Sequence, residues 1–179
     1  MNKWLIPALI LGGLFYARKS GANIPGFSFP LLGANMKLSQ SGADFIQRHE
    51  GLRVEAYKDQ GGLWTIGYGH LLPQNKDWTG HRITIEEAKQ MFAYDVKDAE
   101  AAVNRLVTVP LTQNQFDALV SWTFNLGQGN LADSTMLEVL NSGNYEEVPG
   151  QINRWIYVNG QASAGLRNRR QDEANLFVA

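Results

Sequence analysis

The sequence predicts an α+β fold that is mostly α-helical, and three observations support this fold class. Two capping boxes, Thr84 with Glu87 and Thr112 with Gln115, each precede a run in which apolar residues recur every three or four positions. One stretch, 56–68, has aromatic and β-branched residues around a glycine turn, which indicates a β-hairpin. A chain of 179 residues is long enough for one domain plus a tail, or for two small lobes.

The N-terminal segment, residues 1–19, is hydrophobic and signal-anchor-like. Its apolar run, 4–17, has basic residues on both sides. A helix over this run would be roughly 21 Å long, short of the ~30 Å hydrocarbon core of a membrane. We favour an uncleaved weak signal-anchor. The alternatives are an export signal that is later removed, an apolar helix docked on a partner or a membrane surface, and a buried helix of the domain. Residues 20–36, with several glycines and prolines, are predicted to form a linker.

Residues 41–49 are predicted to form a helix that places Glu50 at its C-terminus. Apolar residues recur there at helical spacing, Ser41 can cap the start, and Gly51 can end the helix in a left-handed conformation. The partial negative charge of a helix C-terminus disfavours a carboxylate, and an apolar wall beside it would do the same. Both effects would favour the protonated form of the Glu50 carboxyl, which is the form that a general acid needs.

The predicted hairpin within 56–68 can form in two registers. A three-residue loop at 61–63 would pair Asp59 with Thr65, whereas a two-residue loop would pair Asp59 with Trp64 and turn Thr65 to the other face. We favour the first register. It places a carboxylate and a hydroxyl on one face of the hairpin, where the two groups together can hold a water molecule.

These residues belong to one long motif. Residues 50–70 read E-G-x-R-x-x-x-Y-x-D-x-x-G-x-x-T-I-G-x-G-H, in which Glu50, Asp59 and Thr65 hold fixed places. The motif closely resembles that of the phage-type lysozymes, the peptidoglycan-cleaving endolysins of glycoside hydrolase family 24. The resemblance implies that Glu50 is the general acid, that Asp59 orients or activates the attacking water, and that Thr65 assists it.

The resemblance covers residues 37–179 and implies a lysozyme-like catalytic domain with two lobes, a small β-hairpin lobe and a helical C-terminal lobe. From Thr84 onward the pattern predicts one long helix that ends before Pro110, and the resemblance implies that this helix joins the lobes. Substrate would then bind between the lobes. The resemblance also implies a structural ion pair between His70 and Asp95.

Three residues are candidates for binding substrate. Asn125 lies near the end of the predicted helix after Thr112, where the resemblance implies a polar residue close to the saccharide; a helix-ending role is the alternative. Trp78, in a polar loop, has a face suited to a sugar ring, with packing between lobes as the alternative. Arg167 can contact the carboxylates of the peptide stem. The alternatives for it, as for Arg169 and Arg170, are to hold the lobes together through a carboxylate or to form a solvated basic face.

The composition excludes other classes of function. Lysine and arginine total 16 against 17 aspartates and glutamates, so the chain has no overall field for nucleic acid. Cysteine is absent, which removes disulfides and thiol chemistry but does not indicate a compartment. The three histidines lack metal-ligand spacing, so we expect neither a metal nor a cofactor.

By resemblance, then, the chain is expected to be an endolysin muramidase that hydrolyses the β-1,4 bond between N-acetylmuramic acid and N-acetylglucosamine in bacterial peptidoglycan and lyses the host cell. It would be a monomer, made in the host cytoplasm and acting in the periplasm or cell wall, with a tether to the inner membrane through 4–17. Inversion of configuration requires carboxyl groups roughly 6.5–9.5 Å apart, against ~5 Å for retention.

Two other functions are considered. A lytic transglycosylase needs one glutamate and would leave Asp59 and Thr65 without a role. A non-catalytic phage protein would only bind peptidoglycan or perturb membranes.

Overall fold

The structure is a computed structural model that describes residues 35–59, 61–158 and 160–179. The predicted hydrophobic segment 1–19 lies outside these residues, as does the predicted linker 20–36 except for its last two positions. Within the described part of the chain, no helix is both long enough and apolar enough to cross a membrane.

The first described helix carries Glu50 as its last residue. Helix α1 (Gln40–Glu50) is capped by Ser39, whose side chain accepts a hydrogen bond from an amide of the first turn, so the predicted cap Ser41 is wrong. Gly51 ends the helix with φ 73° and ψ 158°. The predicted positive φ is therefore present, but the ψ is extended, so the chain leaves the helix directly toward a strand.

A small antiparallel sheet follows α1. Its strands are β1 (Arg53–Lys58), β2 (Trp64–Gly67) and β3 (His70–Leu71), in the order β1-β2-β3.

The register of the hairpin differs from both predicted registers. Tyr57 pairs with Thr65, and the Asp59 amide donates to the Leu63 carbonyl at 2.9 Å, so the loop lies between Asp59 and Leu63. The predicted loop length is right, but the loop lies one residue earlier than predicted. Asp59 is thus diagonal to Thr65 instead of opposite it. Because side chains alternate along a strand with a period of two, both residues still belong to one face.

The predicted long helix is divided into α2 (Ile85–Asp95) and α3 (Lys97–Leu106). Its capping box is confirmed, since Thr84 accepts from the Glu87 amide and the Glu87 carboxylate accepts from the Thr84 amide. Val96, between the helices, keeps right-handed helical angles of φ −71° and ψ −16°, and its amide contacts two preceding carbonyls. The interruption is therefore a local tightening at a residue that is neither glycine nor proline.

The C-terminal lobe is built around α4 (Gln113–Leu126), a helix in which eight consecutive residues, 116–123, are buried. The predicted cap Thr112 is confirmed, and Ser134 caps a later helix of this lobe. A short second hairpin was not predicted. The other elements of this lobe are α5 (Gln128–Ala132), α6 (Thr135–Asn141), a 3-10 turn (Tyr145–Glu147), α7 (Val148–Ile152), β4 (Tyr157–Val158), β5 (Gln161–Ala162) and α8 (Ala164–Val178).

Each lobe has buried apolar residues of its own. The main core surrounds the fully buried Trp122 and includes Phe45 and Ile46 of α1, so α1 packs on the C-terminal lobe. In the other lobe, Ile66 of β2 and Ala88 of α2 are fully buried. The predicted two-lobed α+β fold is therefore confirmed. Since α1 belongs to the larger core and leads into the sheet, its C-terminal residue lies where the lobes meet.

Candidate active site

The Glu50 carboxyl lies between three elements. Its Oε1 accepts a hydrogen bond from Nη1 of Arg169 on α8 at 2.7 Å. Its Oε2 faces the turn between β2 and β3, where a Cβ built on Gly69 would lie 3.9 Å from this oxygen. Gly69 has φ 88°, which favours glycine in any case. The Glu50 side chain is 21% exposed, so the carboxyl is held on one side and accessible on the other.

The apolar wall expected beside Glu50 is not what the structure shows. The neighbour is the guanidinium of Arg169, which is itself almost completely buried. A charge-assisted hydrogen bond from a planar guanidinium fixes both the position and the direction of a carboxyl oxygen. The fold therefore orients Glu50 with a charged partner and not with an apolar surface.

A second buried glutamate supports Arg169 from behind. Oε1 of Glu173, one turn along α8, accepts from Arg169 Nε at 3.1 Å and from Arg170 Nη2 at 2.9 Å. The same oxygen accepts from the Ser121 hydroxyl of α4 at 2.7 Å. Arg170 Nη2 also donates to Oδ1 of Asn125 at 3.0 Å, and its Nε lies 2.8 Å from Glu173 Oε2. We call Arg169, Arg170, Glu173 and Ser121 the buried charge cluster.

Burial changes the proton affinity of the two innermost members of this cluster. It raises the pKa of Glu173, against the opposing effects of Arg170 and Arg169. It also lowers the pKa of Arg170, although Glu173 acts in the other direction. Neither side chain has any exposed surface, so each depends on the other for its compensation.

The expectation that Arg169 and Arg170 form a solvated basic face is wrong, since both are buried. A structural role through a carboxylate was the alternative, but sequence reasoning missed that Glu50 and Glu173 are the partners. The positions of the two arginines, four and three residues before Glu173, place the three side chains on adjoining positions of one helical turn. That spacing was the available signal. Arg167 is exposed, as expected, and its side chain makes no hydrogen bond or ion pair with the described residues.

Asp59 and Thr65 are joined through Leu63 at one end of the hairpin. Asp59 Oδ1 accepts from the amides of Gly61 at 2.8 Å and of Leu63 at 2.9 Å. The Thr65 hydroxyl donates to the Leu63 carbonyl at 3.2 Å, and Thr65 is 3% exposed. Asp59 Oδ2 makes no hydrogen bond to any described residue. Turn formation thus uses one carboxylate oxygen and leaves the other available.

The other predicted site residues are divided between the two lobes. Asn125 is in the last turn of α4 and is connected to Glu50 through the buried charge cluster. Trp78 is in the loop after β3, where its Nε1 donates to the Pro73 carbonyl at 2.8 Å and Nζ of Lys76 lies 3.6 Å from its ring centre. The substrate-binding roles of Asn125, Trp78 and Arg167 stay predictions.

The implied structural ion pair is confirmed. Nδ1 of His70 lies 2.9 Å from Oδ2 and 3.0 Å from Oδ1 of Asp95. His70 is in β3 and Asp95 is the last residue of α2. The pair therefore ties the end of the sheet to α2 close to the interruption at Val96.

His49, the neighbour of Glu50, predicts a pH dependence of stability. Its Nε2 lies 3.4 Å from Asp172 Oδ2, and burial, together with the positive charge of Arg169, lowers its pKa below the ordinary 6.5. The unfolded chain then binds a proton more readily than the folded chain does. The contribution of His49 to stability is therefore present above pH 6.5 and lost as the pH falls below it.

We expect His49→Gln to flatten the pH dependence of the unfolding free energy below pH 6.5, as measured by urea unfolding at a series of pH values. A matched control is His81→Gln, which changes an exposed histidine in the other lobe. A slope that is the same in wild type and His49→Gln would contradict the account.

The fold and the site together define a lysozyme-like protein: a small sheet lobe and a helical lobe with a partly exposed glutamate held at their junction. The phage lysozyme family matches residues 47–173, more than half of the chain. The chain belongs to the phage lysozyme family.

Individual relatives agree with this membership. The endolysin of Acyrthosiphon pisum secondary endosymbiont phage 1 is 40% identical over 146 residues, covering 79% of this chain and 98% of that protein. The SAR-endolysin of Escherichia phage Mu is 36% identical over 128 residues, covering 72% of this chain and 73% of the relative.

Two solved structures are similar in fold and sequence. The endolysin from Escherichia coli O157:H7 phage FAHEc1 has a TM-score of 0.74 and 42% identity, covering 80% of this chain and 94% of its own. The muramidase domain of SpmX from Asticaccaulis excentricus has a TM-score of 0.73 and 39% identity, covering 80% of this chain and 98% of its own. Both likenesses extend over nearly the whole of the other chain.

Proposed function

We propose that this chain is an endolysin muramidase that cleaves the β-1,4 bond between N-acetylmuramic acid and N-acetylglucosamine in bacterial peptidoglycan, with Glu50 as its general acid. Family membership and the similarity to endolysins and to a muramidase domain support the activity. The single observation that carries the assignment of Glu50 is its position. It is the one glutamate of the motif that lies at the junction of the lobes, partly exposed and held by Arg169.

In the proposed reaction, Glu50 gives its proton to the glycosidic oxygen that leaves. Arg169 holds Oε1, so Oε2, on the side of Gly69, is the oxygen left to carry and donate the proton. A fixed donor lowers the entropic cost of reaching the geometry of proton transfer. The protein thus supplies orientation, and the proton is transferred as the bond to the anomeric carbon breaks.

As the leaving oxygen departs, Asp59 and Thr65 guide water to the anomeric carbon. The free Oδ2 of Asp59 can accept a proton from this water. The Thr65 hydroxyl already donates to Leu63, so its oxygen is available to accept a second hydrogen bond from the same water. Two acceptors on one face define both the place of the water and the direction of its lone pair. A lytic transglycosylase, the alternative, has no need for this pair.

The predicted substrate contacts are carried forward as part of the proposal. Arg170 occupies Oδ1 of Asn125, so the amide group of Asn125 remains as a donor for a saccharide oxygen. Trp78 is partly exposed, with Lys76 over its ring and the His81 ring 4.9 Å away, and its exposed part can stack on a sugar ring. The exposed guanidinium of Arg167 suits a carboxylate of the peptide stem.

Endolysins act on the cell wall, and this chain is proposed to reach the wall as a monomer. Relatives named SAR-endolysins support the further proposal that residues 1–19 tether the chain to the inner membrane through the apolar run 4–17.

The activity is tested on purified peptidoglycan sacculi. Incubation with the protein is expected to release soluble fragments with new reducing ends on N-acetylmuramic acid, detected by reduction with borohydride and mass spectrometry. Release of fragments by cleavage within the peptide stems, without new reducing ends, would show a different hydrolase. No release at all, from a folded protein, would leave only the non-catalytic alternative.

A further inference from the structure

We infer that Glu173 is a positioning residue for the reaction, and that it fixes the proposed catalytic acid Glu50 through Arg169 and the proposed saccharide contact Asn125 through Arg170. The inference rests on the proposed function and deepens it. Glu173 touches neither substrate nor reacting atoms, because it has no exposed surface and lies behind both arginines. Its effect is transmitted along two short chains of hydrogen bonds.

The first chain leads to the acid. Glu173 Oε1 accepts a hydrogen bond from Nε of Arg169 at 3.1 Å, and Nη1 of the same guanidinium donates to Glu50 Oε1 at 2.7 Å. A guanidinium is planar, so fixing Nε also fixes the plane in which Nη1 points. The side chain of Arg169 has four rotatable bonds and would otherwise have several ways to approach Glu50. Glu173 selects the one in which Nη1 points at the carboxyl.

The second chain leads to Asn125. Nη2 of Arg170 lies 2.9 Å from Glu173 Oε1 and 3.0 Å from Asn125 Oδ1. The donor on Oδ1 determines which end of the Asn125 amide faces inward. The amide nitrogen is thereby turned away from the cluster, toward the partly exposed side of the residue. Through this chain, the same carboxylate sets the orientation of a proposed saccharide contact.

The charges of the site give Glu173 an additional effect on the acid. With Glu50 ionised, two arginines face two carboxylates; with Glu50 protonated, one positive charge is in excess. Among the described residues, Arg169 and Arg170 on α8 and Ser121 on α4 act directly on Glu173. The other groups of this balance act on the two arginines: Asn125 on α4 contacts Arg170, Glu50 on α1 contacts Arg169, and His49 on α1 lies close enough to Arg169 to be affected by its charge. Helix α7, with the sequence VPGQI, also packs against α8 and brings no titratable side chain.

Removal of the Glu173 charge would leave both arginines to the Glu50 carboxylate alone. This makes the charged form of Glu50 more favourable and so works against its use as an acid. A residue that contributed only to folding would have no such effect on the pH dependence of catalysis.

The test is Glu173→Gln, which keeps the side-chain volume and removes the charge. We measure kcat and KM from pH 4 to pH 9 on soluble, uncrosslinked glycan strands of peptidoglycan, after circular dichroism has verified folding. We expect kcat to fall about tenfold, and the alkaline limb of the kcat profile to move to lower pH by about one unit. An unshifted limb in a folded Glu173→Gln protein would overturn the inference.

Two matched variants separate charge from geometry. Glu173→Asp keeps the charge but is one methylene too short to reach both arginines, so kcat should fall without a shift of the alkaline limb. Arg170→Lys keeps the charge but lacks the branched guanidinium that joins Glu173 with Asn125. KM should therefore rise about threefold or more, while the alkaline limb of the kcat profile stays at its wild-type pH. Glu138→Gln, which removes an exposed carboxylate on α6, should behave as wild type.

Glu173→Gln leaves two buried arginines without their carboxylate, which destabilises the folded state. If that variant does not fold, Glu173→Asp and Arg170→Lys still test the inference. In that event, wild-type kcat in Glu173→Asp or wild-type KM in Arg170→Lys would overturn the inference. Its failure is distinct from failure of the proposed function. If the proposed function is wrong, the wild-type protein itself releases no reducing ends. If only the inference about Glu173 is wrong, the wild-type protein is active and the variants do not show the expected changes in kcat, KM or pH profile.

Discussion

Replacing Glu50 with glutamine is expected to reduce the cleavage of peptidoglycan by roughly 100- to 10,000-fold, the range that a general acid contributes. Glutamine has nearly the same size, and its side-chain oxygen can still accept the hydrogen bond from Arg169 Nη1. It has no acidic proton for the leaving oxygen. The measurement is the initial rate of reducing-end release from purified sacculi at neutral pH, with equal amounts of folded protein.

The chain offers a matched control within the same motif. Glu55 is also a glutamate of residues 50–70, but it is exposed and forms its ion pair with Arg82, at 2.6 Å, on the surface of the sheet. An exposed ion pair is worth about 0–1 kcal/mol, so Glu55→Gln should remain active. A Glu50→Gln protein that clears sacculi as fast as Glu55→Gln would show that the chain acts without this acid.

The second large effect is expected at Asp59. We predict that Asp59→Asn lowers the rate by roughly 100-fold, the lower part of the range for a group that takes up a proton in the transition state. Asparagine retains the oxygen that accepts from the Gly61 and Leu63 amides, so the hairpin loop should keep its shape. Only the negative charge that activates water is lost. The rate of reducing-end release reports the loss of the charge, and the melting temperature reports any damage to the hairpin.

Asp77 is the control for this variant because it performs the same turn chemistry elsewhere. Its Oδ1 accepts from the amide of Thr79 at 2.9 Å and from its hydroxyl at 2.7 Å, in a loop that makes no hydrogen bond to Glu50. Asp77→Asn should therefore leave the rate unchanged. If Asp59→Asn and Asp77→Asn are equally active, Asp59 only shapes a turn, and the steering of water must be assigned to other groups.

The features that sequence predicted correctly depend on neighbours in the chain. The capping box of Thr84 is satisfied within one helical turn, and the same is true of Thr112. A glycine directly after Glu50 permits the positive φ that often ends a helix, so the end of α1 could also be predicted. The ion pair of His70 with Asp95 joins distant positions, and it was available only through the resemblance to phage-type lysozymes.

The features that sequence did not predict either have competing local signals or depend on tertiary contacts. The register of the hairpin follows from Asp59, whose carboxylate binds two amides of its own loop and moves the loop one residue earlier. The interruption at Val96 has no residue that breaks a helix. The burial of Arg169 and Arg170 follows from Glu50 and Ser121, which approach α8 from other helices. The spacing of Arg169 and Arg170 before Glu173 indicates that the three side chains are grouped, but it does not show whether the group is solvated or buried.

The central claim is that Glu50 protonates the leaving oxygen while water, guided by Asp59 and Thr65, attacks the anomeric carbon. The most direct measurement is digestion of purified sacculi in water enriched in heavy oxygen, followed by mass spectrometry of the products. The account predicts that each new N-acetylmuramic acid end carries one heavy oxygen atom. Unlabelled 1,6-anhydro ends would contradict it, because they form when the sugar's own hydroxyl takes the place of water.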